Sequence, residues 1–186
     1  MSNNPKIAKA KKLKGKTLIF RDVEVHDAEF ILSLRNDIKK GRFLSHTPSS
    51  IGDQVIWIEN YANNDGGAYF IIENLEGLAL GTVRIYDAQG DSFCWGSWIL
   101  KDNVPISTAI ESALIVYSYA FDVLGFTKAH LDMRKGNVSA RKFHEFFGAW
   151  CVGETALDYL YEYNIEKFAV MRSKTQMYLS EDVVVE

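Results

Sequence analysis

The sequence is poor in the features that mark disulfide-bonded, metal-binding and membrane-spanning proteins. It has two cysteines, Cys94 and Cys151, and neither lies in a cluster of Cys or His with metal-ligand spacing. A disulfide framework and a metal site are therefore not indicated. The longest apolar runs, such as residues 113–116, are far shorter than the roughly 20 residues that span a bilayer, and no signal-like segment follows the first lysines. We therefore expect a soluble, cytoplasmic protein with no membrane partner.

The balance of charge argues against a dominant role in binding nucleic acid. The 186 residues carry a formal net charge of −3, from 21 Lys and Arg against 24 Asp and Glu. The basic charge is concentrated at one end, because residues 1–16 contain six lysines and no acidic residue. We expect residues 1–16 to form a flexible basic tail, in preference to an arm that docks on RNA, a membrane or an acidic partner.

The length and the aromatic content fit one folded domain. Hydrophobic residues make up 47% of the chain, and 11 Phe, 9 Tyr and 4 Trp can fill a sizeable core. No internal repeat, low-complexity tract or long linker interrupts residues 17–175. We expect a single domain over residues 17–175, followed by a C-terminal tail at residues 176–186.

Hydrophobic periodicity predicts a domain in which strands and helices alternate. The predicted strands cover residues 18–20, 68–73, 78–86, 93–100, 128–133, 150–152 and 156–163. The predicted helices cover residues 28–34, 55–61, 106–123, 138–147 and 165–171. Strand 93–100, helix 106–123 and strand 128–133 form a right-handed crossover, so the sheet turns from antiparallel to partly parallel at this point.

The start of the long helix is predicted to bind a phosphate group. An apolar strand ends at Leu100, and a turn that contains Pro105 opens the helix at about Ile106. The first amides of a helix have no carbonyl partner within it, and such amides bind anionic groups. The residues concerned are Ile106, Ser107, Thr108 and Ala109. The two hydroxyls among them could equally serve as an ordinary helix cap. The order of elements around this turn favours a cradle for a cofactor that carries a pyrophosphate.

Two further motifs make the chain similar to the GNAT superfamily of N-acetyltransferases. The runs YAFD and LGF at residues 119–122 and 124–126 close the long helix, and the turn Asn137-x-Ser139 precedes an amphipathic helix that ends at Gly148. The resemblance covers roughly residues 17–175. It implies the GNAT fold, an α/β (α+β) domain with a mixed, mostly antiparallel central sheet of six to seven strands flanked by helices. It also implies acetyl transfer from acetyl-CoA to a primary amine by direct attack in a ternary complex.

The resemblance implies which residues would hold acetyl-CoA. The family's R/Q-x-x-G-x-G/A loop falls on residues 104–109, without its first basic or amide residue and without its first glycine. A Cβ at Ser107 could narrow the cradle, because glycine permits the closest approach of backbone to phosphate. Asn137 would cap its helix and contact the pantetheine or phosphate arm, and Arg141 would meet the adenosine phosphate. Main-chain groups of the preceding strand would hold the thioester carbonyl and the pantetheine; they belong to Trp98, Ile99 and Leu100.

The resemblance also implies a position for the catalytic proton source. In the family pattern N-x-x-x-x-x-L/F-Y-x-x-x-G, the tyrosine that protonates the departing thiolate is replaced here by His144. An imidazole with an unperturbed pKa of about 6.5 could fill this role. The alternatives are that His144 only orients the cofactor, or that it is a helix histidine with no catalytic duty.

The acceptor is a small-molecule amine on this interpretation, and two branches of the family compete. Arg21-Asp22 and residues 34–37 resemble both ribosomal-protein N-terminal acetyltransferases and enzymes that acetylate nucleotide-linked amino sugars. Arg35, the polar loop 42–47 and Trp57 offer cationic and ring surfaces for a nucleotide diphosphate, which favours the amino sugar.

The general base is not marked by the sequence. Asp87 and His46 are candidates, and Tyr86 or Ser97 could instead hold a water that relays the proton. The residues expected at the acceptor are therefore Arg35, His46, Tyr86 and Asp87. A protein N-terminal acetyltransferase and a non-catalytic acyl-CoA-binding or interaction module stay as alternatives, and the oligomeric state is open, with a homodimer as one option.

Overall fold

The residues that this computed structural model describes, 4–44, 50–179 and 181–186, form nine strands in one sheet and five α-helices. The strands are β1 (Lys12–Lys14), β2 (Leu18–Asp22), β3 (Ala68–Asn74), β4 (Ala79–Gln89), β5 (Ser92–Leu100), β6 (Lys128–Arg134), β7 (Trp150–Glu154), β8 (Asp158–Asn164) and β9 (Val184–Val185). The helices are α1 (Ala28–Arg35), α2 (Ile51–Asn63), α3 (Ile106–Ser118), α4 (Val138–Phe147) and α5 (Ile165–Lys174). A π-helical turn, Tyr119–Val123, extends α3.

The strands lie in the order β7-β8-β6-β5-β4-β3-β2-β1-β9. Every neighbouring pair is antiparallel except β5 and β6, which are parallel and joined by α3. The expected mixed, mostly antiparallel sheet flanked by helices is therefore confirmed. No helix among the described residues combines the length and the apolar character that crossing a membrane requires.

Both ends of the described chain belong to the sheet, which corrects the expected tails at residues 1–16 and 176–186. Strand β1 pairs with β2, and β9 pairs with β1. These two strands account for the excess over the expected six to seven. Ile7, Ala10 and Leu13 are buried in the core, while most of the lysines between them are exposed. The terminal segment is ordered because these apolar side chains, spaced three residues apart, leave water on packing against the sheet.

The two faces of the sheet carry separate hydrophobic clusters. The larger one packs against α3 and includes Val83 and Ile85 of β4. The smaller one lies under α1 and α2 and includes Tyr69 of β3. Because successive side chains of a strand point to opposite faces, Arg84 and Tyr86 of β4 lie on the α1 and α2 side. This alternation decides which residues face the candidate site from each side.

Candidate active site

Strands β5 and β6 pair over a short stretch and then separate. The parallel ladder joins Ser92 to Lys128 and Phe93 to Ala129, and within the described residues it goes no further. Strand β5 nevertheless continues to Leu100. A cavity of about 270 Å³ lies between the separated ends. The expected splaying of the strand around residues 98–100 from its parallel neighbour is thus present.

The cavity reaches from one face of the sheet to the other. Its lining includes side chains of both orientations, since residues of β4, β5, β6 and α4 contribute. On the side of α3 and α4 they include Trp95, Trp98, Met133, Asn137, Ala140 and His144. On the opposite side they include Phe43, Leu44, Tyr86, Gly96, Ser97 and Asp132. Two molecules that enter from opposite faces can therefore meet inside the cavity.

A β-bulge at Ser97 shapes the wall. Ser97 has a φ of 47°, and the pairing of β4 with β5 shifts register here. The extra residue changes the alternation, so that Trp95 and Trp98, three residues apart, face the same side with ring centroids 5.4 Å apart. In a regular strand these two indoles would point to opposite faces. The bulge thus gives the cavity its double-indole wall.

Two polar side chains contact the bulge from the α1 and α2 side. The hydroxyl of Thr82 donates to the carbonyl oxygen of Ser97 at 2.8 Å, and Arg35 Nη1 donates to Ser97 Oγ at 3.4 Å. Arg35 is only 9% exposed. The expectation that Arg35 offers a surface cation to the acceptor is therefore corrected, because its guanidinium is buried behind the bulge.

His144 lies on the wall formed by α4 and is nearly enclosed by aromatic rings. Its ring centroid is 5.1 Å from that of Trp95 and 5.8 Å from that of Phe143. Its Nδ1 is buried and has no hydrogen-bond partner among the described residues. Burial lowers the pKa of His144 to about 4. This corrects the expectation of a protonated imidazole near its ordinary pKa, since the ring is neutral at pH 7.

Tyr86 lines the cavity from the opposite face. Burial, together with the neighbouring Cys94, raises the pKa of Tyr86 above its ordinary value, so the phenol keeps its proton. The hydroxyl oxygen lies 2.9 Å from the point that a Cβ on residue 96 would occupy. A glycine is therefore required at position 96, because the Tyr86 hydroxyl approaches the backbone too closely for a side chain there. The Tyr86 hydroxyl extends into the space that a side chain at residue 96 would occupy.

Asp132 is a cavity residue that the sequence interpretation missed. It lies on β6, is exposed, and makes no ion pair with the residues that the structure describes. Its neighbours in the strand, Leu131 and Met133, point into the core. The signal was present, because a strand of a parallel crossover is ordinarily apolar on both faces, and an alternating carboxylate marks a face that is open.

Of the two expected candidates for the general base, Asp87 does not line this cavity. Asp87 lies in the bulged end of β4 with a φ of 54°, and its carboxylate is 3.2 Å from His130 Nε2. Gln89 also donates to it at 2.8 Å. His46 lies outside the described residues. Of the residues expected at the acceptor, Tyr86 alone among those described lines the cavity.

The start of α3 partly matches the expected anion cradle. Pro105 occupies the cap position without a side-chain hydrogen bond, so the hydroxyls of Ser107 and Thr108 do not cap the helix. The amide of Thr108 donates to Pro105 O at 2.9 Å, which removes it from the expected set of free donors. Ala109 is buried, whereas Ile106 is 72% exposed. The amides of Ile106 and Ser107 have no acceptor among the described residues.

The two residues expected on α4 differ in placement. Asn137 lines the cavity and caps the helix, since its side-chain oxygen accepts from the amide of Ala140 at 3.2 Å. Arg141 instead lies over the ring of Tyr159, 5.5 Å from its centroid, and 3.8 Å from the carboxylate of Glu145. Arg141 is thus held against β8 and does not line the 270 Å³ cavity.

Comparisons with known proteins agree with this geometry. The family model described as an acetyltransferase (GNAT) domain matches residues 17–149. The solved structure of apo FdhC, described as a nucleotide-linked sugar GNAT, is 38% identical, with 90% of this chain and 98% of that chain covered and a TM-score of 0.79. We found no significantly similar sequence among curated proteins.

Two more distant structures show the same fold. A GCN5-related N-acetyltransferase from Brucella melitensis is 14% identical over 95% of this chain and 90% of that chain, with a TM-score of 0.76. Spermidine N-acetyltransferase from Vibrio cholerae, in complex with CoA and spermine, is 18% identical over 82% and 98%, with a TM-score of 0.68. Together with the family match and the cavity between β5 and β6, they lead to one conclusion: the chain belongs to the GNAT family and is an N-acetyltransferase.

Proposed function

We propose that the chain transfers an acetyl group from acetyl-CoA to the amine of a nucleotide-linked amino sugar. The observation that carries the choice of acceptor is the 38% identity with FdhC over 90% of this chain. That protein is described as a nucleotide-linked sugar GNAT, whereas the spermidine enzyme shares only 18% identity. The ribosomal-protein branch has no comparable support.

The donor side of the cavity fits acetyl-CoA. The main chain of Trp98, Ile99 and Leu100 borders the gap left by β6, where it can hold the pantetheine and the thioester carbonyl in the manner of an added strand. At the start of α3, the amides of Ile106 and Ser107 have no acceptor among the described residues and can bind a pyrophosphate. When bound, acetyl-CoA supplies the activated acetyl group as a thioester.

On the acceptor side, Asp132 and Tyr86 divide two tasks. The carboxylate of Asp132 can bind the substrate ammonium and take its proton, which leaves the amine free to attack the thioester carbon. The C–S bond then breaks, coenzyme A leaves as the thiolate, and the proton released from the acylated nitrogen neutralises that thiolate. The Tyr86 hydroxyl, which stays protonated, donates a hydrogen bond to the reacting group. His144, as a neutral ring, can orient the acetyl end of the donor through its N–H.

The test is a free-thiol release assay with acetyl-CoA and three classes of acceptor: nucleotide-linked amino sugars, polyamines and peptides. We expect turnover with the nucleotide-linked amino sugars and little or none with the other two. Preferred acetylation of peptides or of polyamines would overturn the proposed acceptor. If calorimetry detects acetyl-CoA binding and no acceptor causes thiol release, the result favours the alternative of a non-catalytic acyl-CoA-binding module.

A further inference from the structure

A second cavity of about 210 Å³ opens on the same face of the sheet as Tyr86. It is formed by the C-terminal half of α2, the turn at residues 64–67 and one residue of β4. Its lining includes Trp57, Asn60, Tyr61, Asn64, Asp65 and Arg84. The proposed reaction uses none of these residues.

Arg84 links the two cavities. Its guanidinium carbon lies over the ring of Trp57, 5.2 Å from the centroid, and over the ring of Tyr86, 5.1 Å from the centroid. Tyr86 lines the cavity between β5 and β6. A single aromatic ring therefore separates the cation from the place where the acceptor amine would react.

Arg84 makes no ion pair with a described carboxylate, although Asp65 lines the same cavity. Its Nε is buried without a hydrogen-bond partner among the described residues. Arg21 provides a contrast, since it contacts Asp27 at 2.9 Å and Glu73 at 3.0 Å. Arg84 is half-buried; partial burial of a cation without an ion-pair partner is unfavourable, and contact with aromatic rings offsets only part of that cost. Such a guanidinium is suited to an anionic ligand.

We propose that Arg84 binds the diphosphate of the acceptor, an inference that rests on the proposed function. In a nucleotide-linked sugar the diphosphate is attached directly to the sugar ring that carries the amine. With the amine beside Asp132, the sugar lies along Tyr86 and the diphosphate reaches Arg84. The nucleoside then occupies the second cavity beside Trp57. This arrangement gives Arg84 the role that the sequence suggested for Arg35.

The experiment measures binding of UDP and dTDP to the full chain by calorimetry, with saturating CoA present so that the donor site is filled. The variants are Arg84→Met and Arg84→Lys. The matched control is Arg172→Met, because Arg172 pairs with Asp122 at a distance from both cavities. We expect Arg84→Met to weaken binding by about tenfold or more, Arg84→Lys to weaken it less, and the control to leave it unchanged.

A kinetic readout separates phosphate binding from a structural role. For a nucleotide-linked amino sugar, Arg84→Met should raise KM by about tenfold or more with little change in kcat, while kcat/KM for the same amino sugar without its nucleotide stays the same. Equal losses with both substrates would mean that Arg84 only supports Tyr86, and would overturn the inference. Unchanged binding of UDP and dTDP would overturn it as well, with the proposed function intact. A wild-type chain that neither binds nucleotides nor acetylates nucleotide-linked sugars would overturn both.

Discussion

The imidazole of His144 packs across the indole of Trp95, with ring centroids 5.1 Å apart and an angle of 65° between the planes. Trp98 lies on the same side only because the bulge at Ser97 changes the strand alternation. Its own centroid is 6.5 Å from that of His144. The environment that keeps His144 neutral thus depends on a backbone irregularity in the neighbouring strand.

Acid should destabilise the folded protein in part through His144. The folded-state pKa of about 4 lies below the ordinary 6.5, so between these values the unfolded chain binds the proton more readily. The stability associated with neutral His144 is complete above about pH 6.5 and is lost as the pH falls toward 4, by up to about 3 kcal/mol. His144→Phe should flatten this part of a Tm-against-pH curve.

Two measurements on His144→Phe, its Tm and its turnover, test the burial of the imidazole and its role in the reaction separately. If the Tm curves of the wild type and His144→Phe run parallel between pH 4 and 6.5, the imidazole is not buried as the structure has it. If turnover of His144→Phe is unchanged across the pH range, His144 has no part in the reaction.

Replacing Gly96 by Ala should reduce the rate without unfolding the domain. The new Cβ would lie 2.9 Å from the Tyr86 hydroxyl and must displace it. A shift of about 1 Å in a positioned group can cost up to about 100-fold in rate. The matched control is Gly153→Ala on β7, where the Cβ would meet Leu160 at an ordinary 3.7 Å.

A double-mutant cycle identifies the cause. If Gly96→Ala acts through Tyr86, then Tyr86→Phe should cost a similar factor in kcat, and the two changes together should cost little more than either alone. Additive losses would mean that the methyl group blocks the substrate directly.

Asp132→Asn distinguishes the cavity carboxylate from Asp87, which the sequence offered as one of two candidates for the general base. Loss of the base that takes the proton from the substrate ammonium should lower kcat by about 10²–10⁴-fold. Asp87→Asn removes a carboxylate of the same type whose contacts are His130 and Gln89. It should change kcat by less than about threefold, because Asp87 does not line the cavity. The reverse ranking of the two variants would assign the base to Asp87 in place of Asp132.

The order of the elements was predictable because each strand and helix buries a periodic apolar face. Helix α4 has the expected bounds, Val138–Phe147, since Asn137 caps one end and Gly148, with a φ of 99°, closes the other. Strand β1 and the buried segment before it were missed because six lysines in residues 1–16 hide the buried positions Ile7, Ala10 and Leu13.

The site was less predictable because it depends on contacts between distant segments. No local pattern indicates that Ser97 adopts a positive φ, and the two indoles cannot be assigned to one face without that bulge. The pKa of His144 follows from burial against β5, about 50 residues earlier in the chain. Asp132 was also missed, although alternation along β6 carried enough information to identify it.

Glu111 should stabilise the junction between the N-terminal segment and the central helix. Its buried carboxylate on α3 accepts the amide of Thr17 at 2.7 Å, the hydroxyl of the same residue, and the amide of Leu18 at 3.1 Å. Glu111→Ala leaves the buried amide of Leu18 without an acceptor, at a cost of about 1–3 kcal/mol, whereas the amide and hydroxyl of the exposed Thr17 can bind water instead. Urea unfolding measures the loss. Glu59→Ala, on the exposed side of α2, is the control and should cost less than about 0.5 kcal/mol.

Ile7→Ala tests whether residues 1–16 belong to the folded domain. Ile7 is 6% exposed and packs in the larger core cluster, and the carbonyl oxygen of Ala8 accepts from the Tyr119 hydroxyl at 2.8 Å. Truncating a buried isoleucine costs about 2–5 kcal/mol, whereas truncating the exposed Lys6 should cost less than about 0.5 kcal/mol. Urea unfolding of the two variants gives the difference. Equal midpoints would mean that the segment is the flexible tail that its lysine content suggests, because a residue that is solvated in both states contributes nothing to the free energy of unfolding.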